Sequence, residues 1–169
     1  RQAADAGFTA AQIDYAASLP GDRTSQAEAG RLWLAAAERG DPRAQFFYAR
    51  WLRDSPAGPQ DPTAALPFLQ RAAEANQPEA LHMLATLYRD GIGAPRNVAE
   101  AKSLYDRAAR QNHAPSMSNL ADLLRDGSPE ERARSIELYR QLACMTDEHQ
   151  IQPRAVGRLR ALQVSYSCG

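Results

Sequence analysis

The segment LATLYRDG, Leu84 to Gly91, returns as LADLLRDG at Leu120 to Gly127, and a looser copy, YARWLRDS, stands at Tyr48 to Ser55. Both steps are 36 residues. A chain that ends the same amphipathic helix at a fixed interval folds by stacking one supersecondary unit on the next, because no single unit can bury its own apolar face. The same interval pairs Ala44 with Ala80, and Ala49 with Ala85 and Ala121. In the following segment it aligns Ala29, Ala65 and Ala101, then Ala36, Ala72 and Ala108. Trp33, Leu69 and Tyr105 share a further register, which Tyr139 continues after a two-residue deletion. Small residues at fixed places let helices approach closely, and the large ones fill the space between. The pattern predicts an array of helix hairpins.

Punctuation falls in the same frame. Gly40, Asn76 and Asn112 follow the second helices at equivalent positions, and Gly and Asn tolerate the left-handed conformation that ends a helix. Pro42 and Pro78 come two residues later, suited to the first turn of the next helix. Ser25, Asp61 and Asn97, again 36 apart, are expected N-caps, and Ser25 and Asn97 have Glu28 and Glu100 three residues on for a reciprocal capping box. β-branched residues are too sparse to supply a sheet.

In the stretch ALHMLATLYRDGIGAPRNVAEAKSLYDRAARQNHAPS, from Ala80, the residues Ala80, Leu84, Ala85, Tyr88, Gly91, Gly93, Asn97, Ala101, Tyr105, Ala108 and Ala109 resemble a Sel-1-like repeat, the long-turn relative of the tetratricopeptide repeat. The unit before it has Ser55 and Ala57 where the glycines belong, and the unit after it has a shortened turn, DGSPEERARS. With a half unit from Gln26 to Gly40, the resemblance covers residues 8 to 145. It implies an all-α chain, an α/α solenoid forming a right-handed superhelix of about three repeats between atypical capping helices. Within a single 169-residue domain, residues 8–25 are expected to form the N-terminal cap and turn, 26–143 the array and 144–169 the C-terminal cap.

Lys+Arg and Asp+Glu number 20 each, so the balanced charge argues against a general nucleic-acid binder. No apolar run approaches the roughly 18 residues that span a bilayer. The chain begins without Met or a signal peptide, from which a processed or trimmed N-terminus is expected, with an export signal removed before Arg1 as one route. Nineteen arginines against one lysine, Lys102, with 33 alanines, match a GC-rich bacterial genome. Cys144 and Cys168 both lie at the end where the repeat fades, and a bond between them would close a 25-residue loop and pin the terminal helix to the array. The alternative is two free thiols in a cytoplasmic protein.

Catalytic chemistry is sparse. His82, His113 and His149 fall in different units without metal-ligand spacing, and DEHQ at Asp147 to Gln150 reads as a solvated linker. DGIGAP fits the repeat's turn and lacks the Lys-Ser/Thr of a nucleotide loop. Ser165 and Ser167 have no recognisable base. No catalytic residue, metal or cofactor is therefore assigned, and no enzymatic activity is expected.

Function is expected in the surface left after the core is assigned. Leu81, Leu84, Ala85 and Tyr88 form one stripe, with Glu79, His82, Thr86 and Arg89 opposite. The resemblance implies that this second face lines the concave side. Its equivalents are Arg43, Phe46, Arg50 and Arg53 in the preceding unit, then Ser118, Asp122 and Arg125 in the following one. Arg53, Arg89 and Arg125 would form a row of guanidiniums, and an exposed Phe46 beside arginines would resemble a binding hot spot. Each of the three is followed by an aspartate (Asp54, Asp90, Asp126), so local pairing is the competing reading of the row. Arg50 has no adjacent acid.

The expected function is a protein-binding scaffold that holds an acidic segment of a partner, in the periplasm or otherwise exported. An immunity protein against a secreted antibacterial effector is one form of it, and an adaptor in a secretion or polysaccharide-export assembly is another. The family also implies a β-lactamase-like hydrolase, which the missing cysteine pair per repeat argues against. Binding of an anionic polymer or lipid headgroup by the arginines is the third class.

Overall fold

The computed structural model describes residues 2–145 and 151–168, with side chains over 9–145 and 152–168. The DEHQ stretch and His149 lie outside the described residues. The described residues form helices joined by short turns: α1 (Gln2–Ser18), α2 (Arg23–Glu38), α3 (Pro42–Asp54), α4 (Pro62–Glu74), α5 (Pro78–Asp90), α6 (Val98–Ala109), α7 (Ala114–Leu124), α8 (Pro129–Cys144) and α9 (Ile151–Ala161). The chain divides into two compact units, residues 1–101 and 102–169, the division falling inside α6. In the first, α1 to α5 each pack on the next helix. In the second, α8 packs on α7 and α9 packs on both.

The registers predicted from the 36-residue interval are the core. Ala29, Ala65 and Ala101, then Ala36, Ala72 and Ala108, are all fully buried, as are Ala44, Ala80, Ala49, Ala85 and Ala121. Trp33, Leu69, Tyr105 and Tyr139 are buried between them. Aligned alanines bring the helices close enough for one large side chain per unit to fill the remaining gap, so the core is repeated and not centred.

Helix ends follow the sequence with two corrections, one of them at Asn97, whose amide donates to the Tyr88 carbonyl at 2.8 Å and is not capped in return by Glu100. Gly40, Asn76 and Asn112 have φ of 89°, 58° and 59°, the left-handed values expected of them. Pro42 and Pro78 open α3 and α5. Asp61 accepts hydrogen bonds from the Thr63 and Ala64 amides at 2.9 and 3.2 Å, and Asn97 accepts from the Glu100 amide at 3.1 Å. Ser25, however, is not a cap. Asp22 accepts from the amides of Thr24 and Ser25, both at 3.0 Å, and starts α2 three residues earlier. A carboxylate is the stronger acceptor at a helix N-terminus, where its charge also meets the positive end of the dipole. The shortened turn carries a full capping box, Ser128 with Glu131, on α8.

Candidate functional site

The arginines at the ends of the first helices are paired locally. Arg53 forks onto Asp54 at 2.6 and 2.7 Å, Arg89 onto Asp90 at 2.7 Å through both nitrogens, and Arg125 onto Asp126 at 3.2 and 3.0 Å. The hydrogen bond from Arg89 holds the Asp90 carboxyl below the usual carboxylate range, and Arg125 does the same for Asp126. Two parallel charge-assisted bonds between sequence neighbours fix each guanidinium in place and satisfy much of its donor capacity. Arg43 pairs with Asp14 across to α1 at 2.8 Å.

Phe46 corrects the expectation directly. It is 8% exposed and packs against Phe47, ring centroids 5.4 Å apart, inside the core of the first unit. The helical face drawn from α5 placed it outward, but α3 turns an aromatic ring into the core at that position. His82 and Thr86 on α5 are half-buried and Ser118 on α7 is buried, whereas Glu79 stays exposed.

Arg50 differs from the other arginines named for this face. It is exposed, forms no ion pair among the described residues, and lies over the Phe47 ring at 5.5 Å. It borders a recess of about 190 Å³, lined also by Gln26, Trp33, Trp51, Asp54 and Ser55. Both tryptophans of the chain are therefore in its wall. Trp51 stacks on Tyr48 at 5.7 Å and donates its indole N–H to the Gln26 carbonyl at 2.8 Å. Trp33 stacks on Phe47 at 5.5 Å, and its buried indole N–H has no partner among the described residues. Leaving such a donor unpaired costs about 1–3 kcal/mol. The sequence reading places Trp33 among the large core residues and does not find this recess.

In the second unit Asp122 is engaged and not presented to solvent as a free contact. The Tyr139 hydroxyl donates to it at 2.7 Å, the Arg158 Nε lies at 3.3 Å, and Arg154 and Arg125 each approach to 3.9 Å. Residues of α8 and α9 thus converge on one carboxylate of α7. Burial, then the hydrogen bond to Asp122, pushes the Tyr139 phenol up to about 12. Cys144 and Cys168 are bonded, which ties the residues after α9 to the end of α8, and Arg140 reaches the Ser165 carbonyl at 3.4 Å. Among the described residues no cluster of three or more His, Cys, Asp or Glu is placed to hold a metal ion. None of the described helices is long and apolar enough to cross a membrane.

The family model of the Sel1 repeat matches residues 9–41, 42–77, 78–113 and 114–147. It counts four units where the sequence reading counts about three, because α1 and α2 together fill the first. The structure is similar to that of a protective antigen of uropathogenic Escherichia coli displaying an SLR fold, with 25% identity, a TM-score of 0.75, and coverage of 88% of this chain and 36% of that one. This chain therefore spans little more than a third of that antigen's length. It is also similar to a Sel1 repeat protein from Oxalobacter formigenes, with 21% identity, a TM-score of 0.78, and coverage of 94% and 67%. No curated protein matches the chain in sequence. The repeat frame, the left-handed turns and these likenesses agree on an all-α helical-repeat solenoid, and the chain belongs to the Sel1 repeat family.

Proposed function

We propose that this chain is a non-catalytic protein-binding scaffold of the bacterial envelope, which engages an acidic segment of its partner beside α3 with Arg50 as the central contact. Sel1 repeats generally mediate protein–protein interaction, so the scaffold class follows from membership of the family. The observation that carries the reading further is Arg50, an exposed guanidinium without an ion pair on a face whose other arginines already have carboxylates. An exposed arginine set against aromatic rings gains much from a partner's carboxylate, because part of its desolvation has already been met by the ring face. The Cys144–Cys168 bond favours an exported location, since disulfides persist in oxidising compartments. Within the envelope we favour an immunity protein that neutralises a secreted effector.

The test is capture from native lysate under non-reducing conditions, wild type against Arg50→Glu. Stoichiometric recovery of one protein by wild type, lost with the variant, supports the reading. A captured toxin whose activity is restored when the variant replaces wild type would establish immunity, and a secretion or export component would establish the adaptor instead. Binding that needs no protein partner and collapses with salt would replace the scaffold with a polymer-binding role.

A further inference from the structure

The recess beside Arg50 has an uneven balance of donors and acceptors. Trp33 Nε1 is a buried donor without a partner among the described residues, on a residue only 4% exposed. Trp33 stands 72 residues before Tyr105, and Phe47 stands 72 residues before Asn119. In the later pair the Asn119 amide donates to the Tyr105 hydroxyl at 3.3 Å. In the earlier pair Phe47 stacks on the indole and offers no acceptor. Ser55, also in the wall and 8% exposed, accepts from the Ala57 amide at 3.2 Å, and its own O–H has no acceptor among the described residues. Arg50 brings an unpaired guanidinium to the same recess. The one acid in the wall, Asp54, is already held by Arg53 through two bonds. The recess therefore offers donors and positive charge, and its one carboxylate is occupied.

We propose that this recess is the specificity subsite of the scaffold, and that it takes the carboxylate of a single acidic side chain inserted from a partner segment. A volume of about 190 Å³ is below the range of ordinary small-molecule sites, which begins at roughly 300 Å³, and suits one slender side chain. The Trp33 N–H is closed even to a water-sized group, so an acceptor that enters the recess meets it only by displacing the indole from that closed position. A carboxylate on a short flexible stem does this while its charge meets Arg50. An uncharged amide of the same shape would forfeit the charge that meets Arg50 and bind more weakly.

The proposal rests on the scaffold reading and is tested apart from it. Because Trp33 and Trp51 are the only tryptophans and both line the recess, intrinsic fluorescence reports its occupancy directly. The probes are the blocked pentapeptide Gly-Gly-Glu-Gly-Gly, its Gln counterpart and free glutamate. The expected result is saturable binding of the Glu peptide, weaker by about tenfold or more for the Gln peptide. Calorimetry should show a similar loss in Arg50→Gln and a loss of about three- to tenfold in Trp33→Phe, with Arg110→Gln, which is not part of the recess lining, unchanged. Far-UV circular dichroism of each variant excludes unfolding as the cause.

No saturable binding of the Glu peptide, equal binding of the Glu and Gln peptides, or binding untouched by Arg50→Gln and Trp33→Phe would overturn the proposal. Free glutamate bound as tightly as the peptide would overturn the peptide assignment. A protein partner still captured by Trp33→Phe at wild-type affinity would sink the subsite and leave the scaffold standing. Glu-peptide binding with no protein partner would do the reverse.

Discussion

Gly30 and Tyr139 show how single residues hold the frame. A Cβ at Gly30 would meet the Trp51 ring at 2.5 Å, so the absence of a side chain on α2 is what lets the indole lie down beside it. Gly30→Ala gains up to about 1 kcal/mol of helix propensity but forces a ring to move, and overpacking of this kind costs roughly 1–3 kcal/mol. The expected outcome is a net loss of stability in urea denaturation, with altered Trp fluorescence in the native state. Tyr139 makes a prediction in pH. Its phenol is raised in the folded chain to about 12 from an ordinary value near 10, so the folded state keeps a proton that the unfolded state releases. The contribution is fully present below pH 10 and is lost as pH rises toward about 12. Stability should therefore fall across that window, and Tyr139→Phe should flatten the fall while costing about 1 kcal/mol at neutral pH through the lost hydrogen bond to Asp122.

At the scale of the helix, the 36-residue interval sets the ends because each unit must stop where its neighbour can stack. That made most of the fold legible in the sequence. The alanine registers, the left-handed Gly40, Asn76 and Asn112, and the proline starts follow from backbone conformation and close packing, which a periodic pattern records. It failed at Ser25, where the interval pointed to the right residue type in the wrong place. Asp22 is the better acceptor, and a repeat frame carries no information about which of two neighbouring polar residues wins the cap. The contrast is measurable. Asp22→Ala should cost ~1 kcal/mol, and Ser25→Ala should stay within about 0.5 kcal/mol, both by chemical denaturation. The pattern failed again at Phe46, because the face of α5 was carried onto α3 without regard to the aromatic cluster that α3 supplies. Pairing of the terminal arginines with the next aspartate was the other reading of that row, and it holds in each case.

For the molecule as a whole, the Cys144–Cys168 bond closes a loop with a sequence separation of 24 around α9. A loop of that size stabilises by about 3 kcal/mol where it forms, so reduction should lower the melting temperature while leaving most of the helical signal intact below it. Cys144→Ser with Cys168→Ser should reproduce the reduced value. The candidate site was less legible than the fold, since an unpaired donor is defined by what surrounds it in space and has no signature in spacing. Arg50 was visible as the arginine without an adjacent acid, but the two indoles and the Ser55 hydroxyl beside it emerged only with the fold. The most direct test of the scaffold account is quantitative capture with wild-type and Arg50→Glu baits of equal stability at moderate salt. It predicts one stoichiometric protein partner recovered by wild type and reduced at least about tenfold by the charge reversal. A partner recovered equally by both would contradict it and move the interface away from Arg50.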